Sequence, residues 1–549
     1  MRQRLEAIRS VAAEPALRRL LLAWGCSYFG EAIAAVAFGL LAYRAAGASG
    51  IAVLVAVQML PAALLAPVLA RWGERHDRER FVVGVDASRA LLAVAAALLA
   101  DVGVTHAGLL ALAAALTVAT VASSPSRRAL PPLLVRSPAE LTAAGVVASV
   151  VQAAAQTVGP IVAGVILTFE GSVLVLGVAA AGFVLAAVIE AGLPSTAHLA
   201  VRPLTASPAR PLRAVREGLE VVAKDVNLRL TAWLFAAKNL GRGSLNVLLV
   251  IVPLELLGLP SSGIGWLSAA IGLGGVSGGM VAALLVGRRR LVGPMAAGLA
   301  LWGLPLLVLA EHPVPGVALA ALVVIGIGNT LTDVAGYTLV GRFARDDVIG
   351  RVYALHEAVR ALAICAGAGV TAWIATAANV TWAVAATGVF LALTAGAGWV
   401  AGRKEHTLEL PAGVLQLLRS NALFAWLPPL GLERLASLVV PLELRGGDLL
   451  LREGAPGDCA YLLAEGELVA DTGGIEIGRI HPGDVAGEIA LLHEARRMAS
   501  VRAVNDSRLL RIDRDEFLTA ATGSLSARDA ADQLIDRRLA AAKTAEEAV

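Results

Sequence analysis

Cysteine, lysine and aromatic residues are scarce in this chain of 549 residues, and charge of either sign is sparse. The three cysteines, Cys26, Cys365 and Cys459, lie far apart and are odd in number, so no disulfide framework is implied. The eight histidines show no metal-ligand spacing, so neither a metal nor another cofactor is expected. No nucleophile-and-base constellation and no phosphate-cradling P-loop appears, which argues against an enzyme and against ATP-driven pumping. Charged residues make up 16% of the chain and aromatics 4%, and the net charge of +3 comes mainly from arginine. Nothing in that balance calls for a nucleic-acid partner. The N-terminal basic stretch is followed by an apolar run too long for a signal peptide, with further such runs after it, so it is expected to remain as a first helix. Little lysine beside abundant arginine and alanine suggests a GC-rich bacterial genome, hence a bacterial plasma membrane.

What is abundant is apolar side chain: 57% of residues are hydrophobic and the mean hydropathy is +0.73, far outside the soluble norm. A lipid bilayer is the expected surrounding. The apolar residues fall into about twelve runs near the length needed to cross a hydrocarbon core of roughly 30 Å. They lie at about 18–45, 51–72, 80–100, 106–124, 141–168, 171–192, 228–257, 262–287, 291–310, 315–340, 350–375 and 380–401. Gly and Pro inside several runs are tolerated by lipid-buried helices, so helices are predicted rather than barrel strands. Arg and Lys crowd one set of loops, while the opposite set holds essentially only Arg44, which puts both termini in the cytoplasm.

A basic, Pro-containing connection at 194–227 separates a six-span half at 1–193 from a second at 228–402, the layout of parallel-repeat transporters. A linker at 403–415 leads to a polar region at 416–549. There, short apolar runs such as Leu449-Leu450-Leu451 and Glu467-Leu468-Val469 are punctuated by Gly, which predicts a jelly-roll β barrel with flanking helices, the last over Leu525–Ala542. The expected fold is therefore multi-domain: an all-α membrane bundle of twelve spans, six plus six, and a cytoplasmic β barrel.

Two resemblances sharpen this outline. The loop Ala70-Arg71-Trp72-Gly73-Glu74-Arg75-His76-Asp77-Arg78-Glu79-Arg80 is similar to the signature loop of the major facilitator superfamily. Ala70 stands where that family has its first Gly, and Glu74 where it has Asp. Asp86 and Arg89, the Pro125-to-Pro131 turn and Gly159-Pro160-Ile161-Val162-Ala163-Gly164 agree with it, the last resembling the Gly-Pro motif of the superfamily's exporters. The resemblance covers roughly 15–402 and implies a gate formed by Glu74, Arg75, Arg78, Asp86, Arg89, Gly159 and Pro160. Inside the spans, Glu31 in the first and Arg242 in the seventh carry the cost of intramembrane charge, with Lys238 one turn before Arg242. In this family both spans line the central cavity. Glu31 facing Arg242 predicts either a proton and substrate exchange site or a structural ion pair. Asp333, Glu357 and Arg360 are further candidates, and Gln152 and Gln156 share one face of the fifth span. The glycines from Gly272 to Gly279 are read as helix-packing residues.

The region after Leu415 resembles the cyclic-nucleotide-binding domain of the catabolite activator and protein kinase A regulatory family. Gly446-Gly447-Asp448, Glu453-Gly454, Gly457-Asp458, Gly466, Gly483-Asp484 and the stretch Gly487–Val501 follow that family's order. The resemblance implies that Gly487, Glu488, Ile489 and Ala490 form the phosphate cassette, that Glu488 bonds the ribose 2′-hydroxyl, that Arg497 pairs with the phosphate, and that Ser500 adds a hydroxyl. Arg supplies permanent forked donors and Gly close backbone approach. The favoured regulatory ligand is cyclic AMP, with cyclic GMP the alternative. The expected function is a secondary transporter, proton-coupled and exporting a small organic molecule, under cyclic-nucleotide control. The alternative is a membrane-anchored receptor whose bundle does not transport. Cyclic-nucleotide domains often pair through a closing helix, whereas transporters of this superfamily are often monomers, so the oligomeric state is open.

Overall fold

The structure is a computed structural model, and it describes residues 14–74, 77–102, 106–134, 138–169, 171–193, 211–282, 285, 290–343, 346–404, 413–421, 423–425, 427, 429–492 and 495–522. Arg75 and the expected helix at Leu525–Ala542 lie outside them. The chain divides into two compact units, 1–406 and 407–549.

The first unit is helical. Its first helix, α1 (Pro15–Glu74), is broken at Ala46 and at Gly47, whose φ of +59° suits glycine. A side chain at Gly50 would strike the Ala42 carbonyl, so the two stretches double back closely on each other. There follow α2 (Arg78–Val102), α3 (His106–Ala129), α4 (Pro131–Leu134), α5 (Pro138–Leu167), α6 (Ser172–Ala191), α7 (Pro211–Lys224), α8 (Val226–Ile251), α9 (Ser262–Ala282), α10 (Val292–Glu311), α11 (Pro315–Phe343), α12 (Asp346–Ala377) and α13 (Val380–Ala401). Among the described residues, eleven helices are long and apolar enough to cross a membrane, the first counted as one stretch of 51 residues through its break.

Side-chain placement inverts that of a water-soluble bundle. Leu64, Leu91, Met280 and Leu393 are at least 70% exposed, whereas Asp86, Arg89, Glu190 and Lys238 are buried. This suits apolar surroundings, where charge retreats to the interior. Helices α1, α2, α3, α5 and α6 pack together, as do α8 to α13, and the two groups meet along α5 with α9 and α1 with α12. The α5–α9 contact depends on glycine. A Cβ on Gly164 would lie 3.0 Å from the Ser262 carbonyl, and one on Gly265 would overlap the Pro160 carbonyl. Helix α7 falls within the connection expected at 194–227 and packs on α12, with Gly218 against the Arg351 carbonyl and Glu217 paired to Arg351 at 3.1 Å.

The second unit opens with α14 (Val414–Ser420) and α15 (Pro429–Leu438). The strands are β1 (Val440–Leu444), β2 (Leu449–Leu451), β3 (Cys459–Glu465), β4 (Leu468–Thr472), β5 (Ile475–Ile480), β6 (Val485–Ala486), β7 (Ser500–Ala503) and β8 (Ser507–Asp513). Helix α16 (Glu488–Leu492) follows β6, and α17 (Arg514–Thr522) follows β8. They form two four-stranded antiparallel sheets, β1-β8-β3-β6 and β2-β7-β4-β5. Leu463 and Leu509 of the first sheet pack with Leu468, Ile480 and Val501 of the second. On its other side the first sheet carries the helices, where Phe424 and Phe517 meet edge to face at 6.1 Å. Gly473 and Gly474, both at positive φ, make the tight β4–β5 hairpin.

Candidate functional site

In the two-sheeted unit, β6 ends at Ala486 and the chain turns at Gly487, with φ +84°, into α16. A Cβ at Gly487 would collide with Arg497 Nη1, so both the backbone conformation and the space require glycine. Arg497 approaches from the segment before β7. Its backbone is paired with the preceding turn, the Arg497 N–H donating to the Ala455 carbonyl and the Gly454 N–H to the Arg497 carbonyl, both at 2.8 Å. Arg496 donates to the Gly454 carbonyl at 2.9 Å and holds that same turn.

The Arg497 side chain is 4% exposed and oriented by main-chain acceptors: Nη1 donates to the Gly487 carbonyl and Nη2 to the Cys459 carbonyl, each at 2.7 Å, with Asp458 at 3.4 Å from Nη2. A guanidinium carries five N–H donors, so donors are left over for a ligand oxyanion. Glu488 is buried beside it. These residues line a cavity of about 250 Å³ with Leu451, Ala470, Ile489, Ala490 and Val501. It offers the buried Arg497 cation, a second arginine, Arg479, already paired to Glu467 and Glu476, one carboxyl group and apolar walls, which suits a flat heterocycle bearing one phosphate and a hydroxyl. Ser500 departs from expectation. It does not line the cavity, and its Oγ instead accepts the Glu453 N–H at 3.2 Å, while Met498 and Ala499 take the lining positions. Next to Arg497, the hydrogen bond from the Cys459 thiol holds the Asp458 carboxyl below its usual range, and burial pushes the Cys459 thiol up.

The helical unit contains a cavity of about 530 Å³ lined from both groups of helices. Glu31 and Arg242 both line it, but they do not pair. Glu31 Oε2 meets Arg89 Nη2 at 3.1 Å, which corrects the expected Glu31–Arg242 contact. The reason is tertiary: α2 packs with α1 and brings Arg89 to the Glu31 face. Arg89 also donates to Asp86 at 3.0 Å and to Ser27 Oγ at 2.6 Å, and lies 4.2 Å over the Phe183 ring. Arg127 takes the other Asp86 oxygen at 2.5 Å. Lys238 and Asp333 pair with each other at 2.5 Å, and neither lines the cavity. Glu357 and Arg360 form a second pair at 2.7 Å. Gln152 and Gln156 do line the cavity, as does Pro160. In the glycine run, Gly272, Gly274 and Gly278 leave no room for a Cβ, whereas Gly279 faces open space. The side chains of Glu74 and Arg78, like Arg75, lie outside the described residues.

Glu190 was missed in the sequence. It is 1% exposed, Arg127 stands 3.7 Å from it, and neither of its oxygens has a hydrogen-bond donor among the described residues. Its position near the end of an otherwise apolar span was the available signal.

A bundle with buried ion pairs and a cavity that mixes apolar, amide and charged side chains, followed by a double-sheeted domain with an arginine-lined pocket, defines a helical domain of membrane type and a small β domain whose pocket suits an anion. Comparison with known families names both parts. Residues 233–440 match the Major Facilitator Superfamily and residues 441–522 the Cyclic nucleotide-binding domain, so the chain joins a domain of each kind. Neither family is enzymatic. Among curated proteins, the cGMP-dependent protein kinase egl-4 of Caenorhabditis briggsae is 37% identical over 83 residues, covering 15% of this chain and 11% of that protein. The cAMP-dependent protein kinase regulatory subunit of Emericella nidulans is 35% identical over 102 residues, covering 18% and 25%. The chain thus spans a quarter or less of the length of these two relatives. Among solved structures, the regulatory domain of Toxoplasma gondii PKA with cAMP matches at 30% identity over 21% of this chain and 47% of that one, with a TM-score of 0.20.

Proposed function

We propose that the protein is a secondary transporter of the bacterial plasma membrane, not an enzyme, whose jelly-roll domain binds cyclic AMP and biases the bundle between access states. Reading α1 as two spans across its break at Ala46 and Gly47 gives twelve spans and places both termini in the cytoplasm under the charge bias of the loops. The observation that carries the regulatory reading is the pocket floored by Arg497 and Gly487 with Glu488 beside them. Proton coupling is assigned to Glu31, a carboxylate that lines the central cavity while paired to Arg89. Export is favoured by the Gly159–Gly164 motif, whose Gly159 packs on α1 and whose Pro160 and Gly164 meet α9, and Asp86 with Arg89 forms part of the gate. The relatives' names include both cAMP and cGMP, and cyclic AMP is preferred as the commoner bacterial messenger. Nucleotide can shift transport only by its differential affinity for the two states, typically about 1–3 kcal/mol, or several-fold to about a hundredfold.

The test is calorimetric titration of the detergent-purified protein with cyclic AMP and cyclic GMP, alongside Arg497→Ala, followed by flux in proteoliposomes with and without nucleotide. Binding lost in Arg497→Ala and flux altered by nucleotide support the reading. No binding of either nucleotide sinks the sensor. Binding without any flux leaves a membrane-anchored receptor.

A further inference from the structure

The charge balance of the central cavity points to the chemical class of the cargo, an inference that rests on the transport reading above. Among the described residues, two charged side chains line this cavity and they are of opposite sign, Glu31 and Arg242. Glu31 is already neutralised by Arg89, whose side chain is 1% exposed and anchored by Asp86 and Ser27. Asp86 in turn is matched by Arg127. Arg242 has no such contact: the carboxylate that acts on it through space, Asp333, is itself paired to Lys238. Arg242 is exposed to the cavity and makes no hydrogen bond or ion pair among the described residues. The acids that could have served it on the neighbouring helices are engaged, Asp333 with Lys238 and Glu357 with Arg360. Glu190 stands behind Arg127 and does not reach the lining.

A guanidinium cannot discharge itself in a protein, and a cation held deep within a membrane domain is expensive unless a counter-charge meets it. Protonating Glu31 would only add to the positive surplus. We infer that the cavity takes a small organic anion, a carboxylate, sulfonate or phosphate ester, whose oxyanion is clasped by the Arg242 fork. Gln58, Gln152, Gln156, Asn246 and Asn329 supply neutral hydrogen-bonding groups on the same lining for the rest of the molecule. The anion would be bound against Arg242 while Glu31 stays committed to Arg89, which separates the cargo site from the proton site.

The test uses the full-length protein in proteoliposomes and two membrane-impermeant probes of similar size and opposite charge, radiolabelled benzenesulfonate and phenyltrimethylammonium, measured by counterflow so that no driving gradient is assumed. Benzenesulfonate is expected to exchange at least tenfold faster than the cation, with that advantage abolished in Arg242→Gln and partly kept in Arg242→Lys. An unchanged melting midpoint of the helical unit in detergent reports that the bundle of each variant is intact, and nucleotide titration reports the same of the second unit. Equal or faster exchange of phenyltrimethylammonium, or benzenesulfonate exchange unchanged in Arg242→Gln, overturns the anion assignment and leaves the transport reading standing. Exchange of neither probe, with nucleotide binding intact, overturns both.

Discussion

Replacing Arg497 isolates the step from geometry to affinity in the barrel. The guanidinium is 4% exposed and fixed by two carbonyls at 2.7 Å, so it meets a ligand without reorganising. A charge-assisted hydrogen bond contributes about 1.5–3 kcal/mol, and a forked contact to a phosphate makes two of them. Losing both weakens binding by about 3–6 kcal/mol, roughly a hundredfold to ten-thousandfold at about 1.4 kcal/mol per tenfold. Arg497→Ala also orphans the Gly487 and Cys459 carbonyls, so a folding defect must be told apart from a lost contact. Arg497→Lys does this, since it keeps the charge but gives up the fork, and it should lose about tenfold to a hundredfold. Calorimetry with cyclic AMP reads the affinity, and the unfolding midpoint of the same samples reads the fold. If Arg497→Ala bound cyclic AMP within threefold of the parent while keeping its midpoint, Arg497 would not be the phosphate partner.

Gly487→Ala should abolish binding although it adds only one methyl group, because the Cβ falls on Arg497 Nη1 and the residue would be strained at φ +84°, at a cost of about 1–2 kcal/mol; nucleotide titration checks it. Gly265→Leu should block flux while leaving nucleotide binding unchanged, since α9 could no longer meet Pro160 and Gly164 of α5; parallel counterflow and calorimetry decide. Glu190→Gln should raise the melting temperature of the bundle in detergent by a few degrees, consistent with about 1 kcal/mol from removing a buried carboxylate that has no hydrogen-bond donor among the described residues; a fall would show that Glu190 is needed as a charge. Asp458 has a folded pKa below its unfolded value, so it contributes stability that is present above about pH 4 and lost as pH falls through the lower folded value. Asp458→Asn should therefore flatten the acid limb of barrel unfolding and leave stability near pH 7 lower than in the parent.

The barrel pocket was more legible in the sequence than the bundle cavity, and the reason is distance along the chain. Gly487 and Arg497 are ten residues apart, and the bond from the Arg497 guanidinium to the Gly487 carbonyl closes a local loop, so motif and geometry nearly coincide. Even there Ser500 misled, because one residue of strand register decides whether a hydroxyl faces the pocket or the Glu453 amide. Helix α7 was legible in principle, since Val215, Leu219 and Val222 recur at helical spacing, but a basic Pro-containing stretch drew the reading toward a loop.

The charges of the bundle obey no local rule. Arg89 reaches back 58 residues to Glu31, Arg127 reaches 41 to Asp86, and Lys238 reaches 95 to Asp333. Each choice of partner is set by which helix faces pack, and those faces are set by glycines such as Gly164, Gly265 and Gly274, whose use as contact points is invisible until the opposing backbone is known. Sequence can show that intramembrane charges exist and that they are costly. Only packing shows which are cancelled, and in this bundle that distinction leaves Arg242 facing the cavity with no ion-pair partner among the described residues and with Asp333, the acid that acts on it, shared with Lys238, making the arginine itself the most direct handle on what the cavity was shaped to receive.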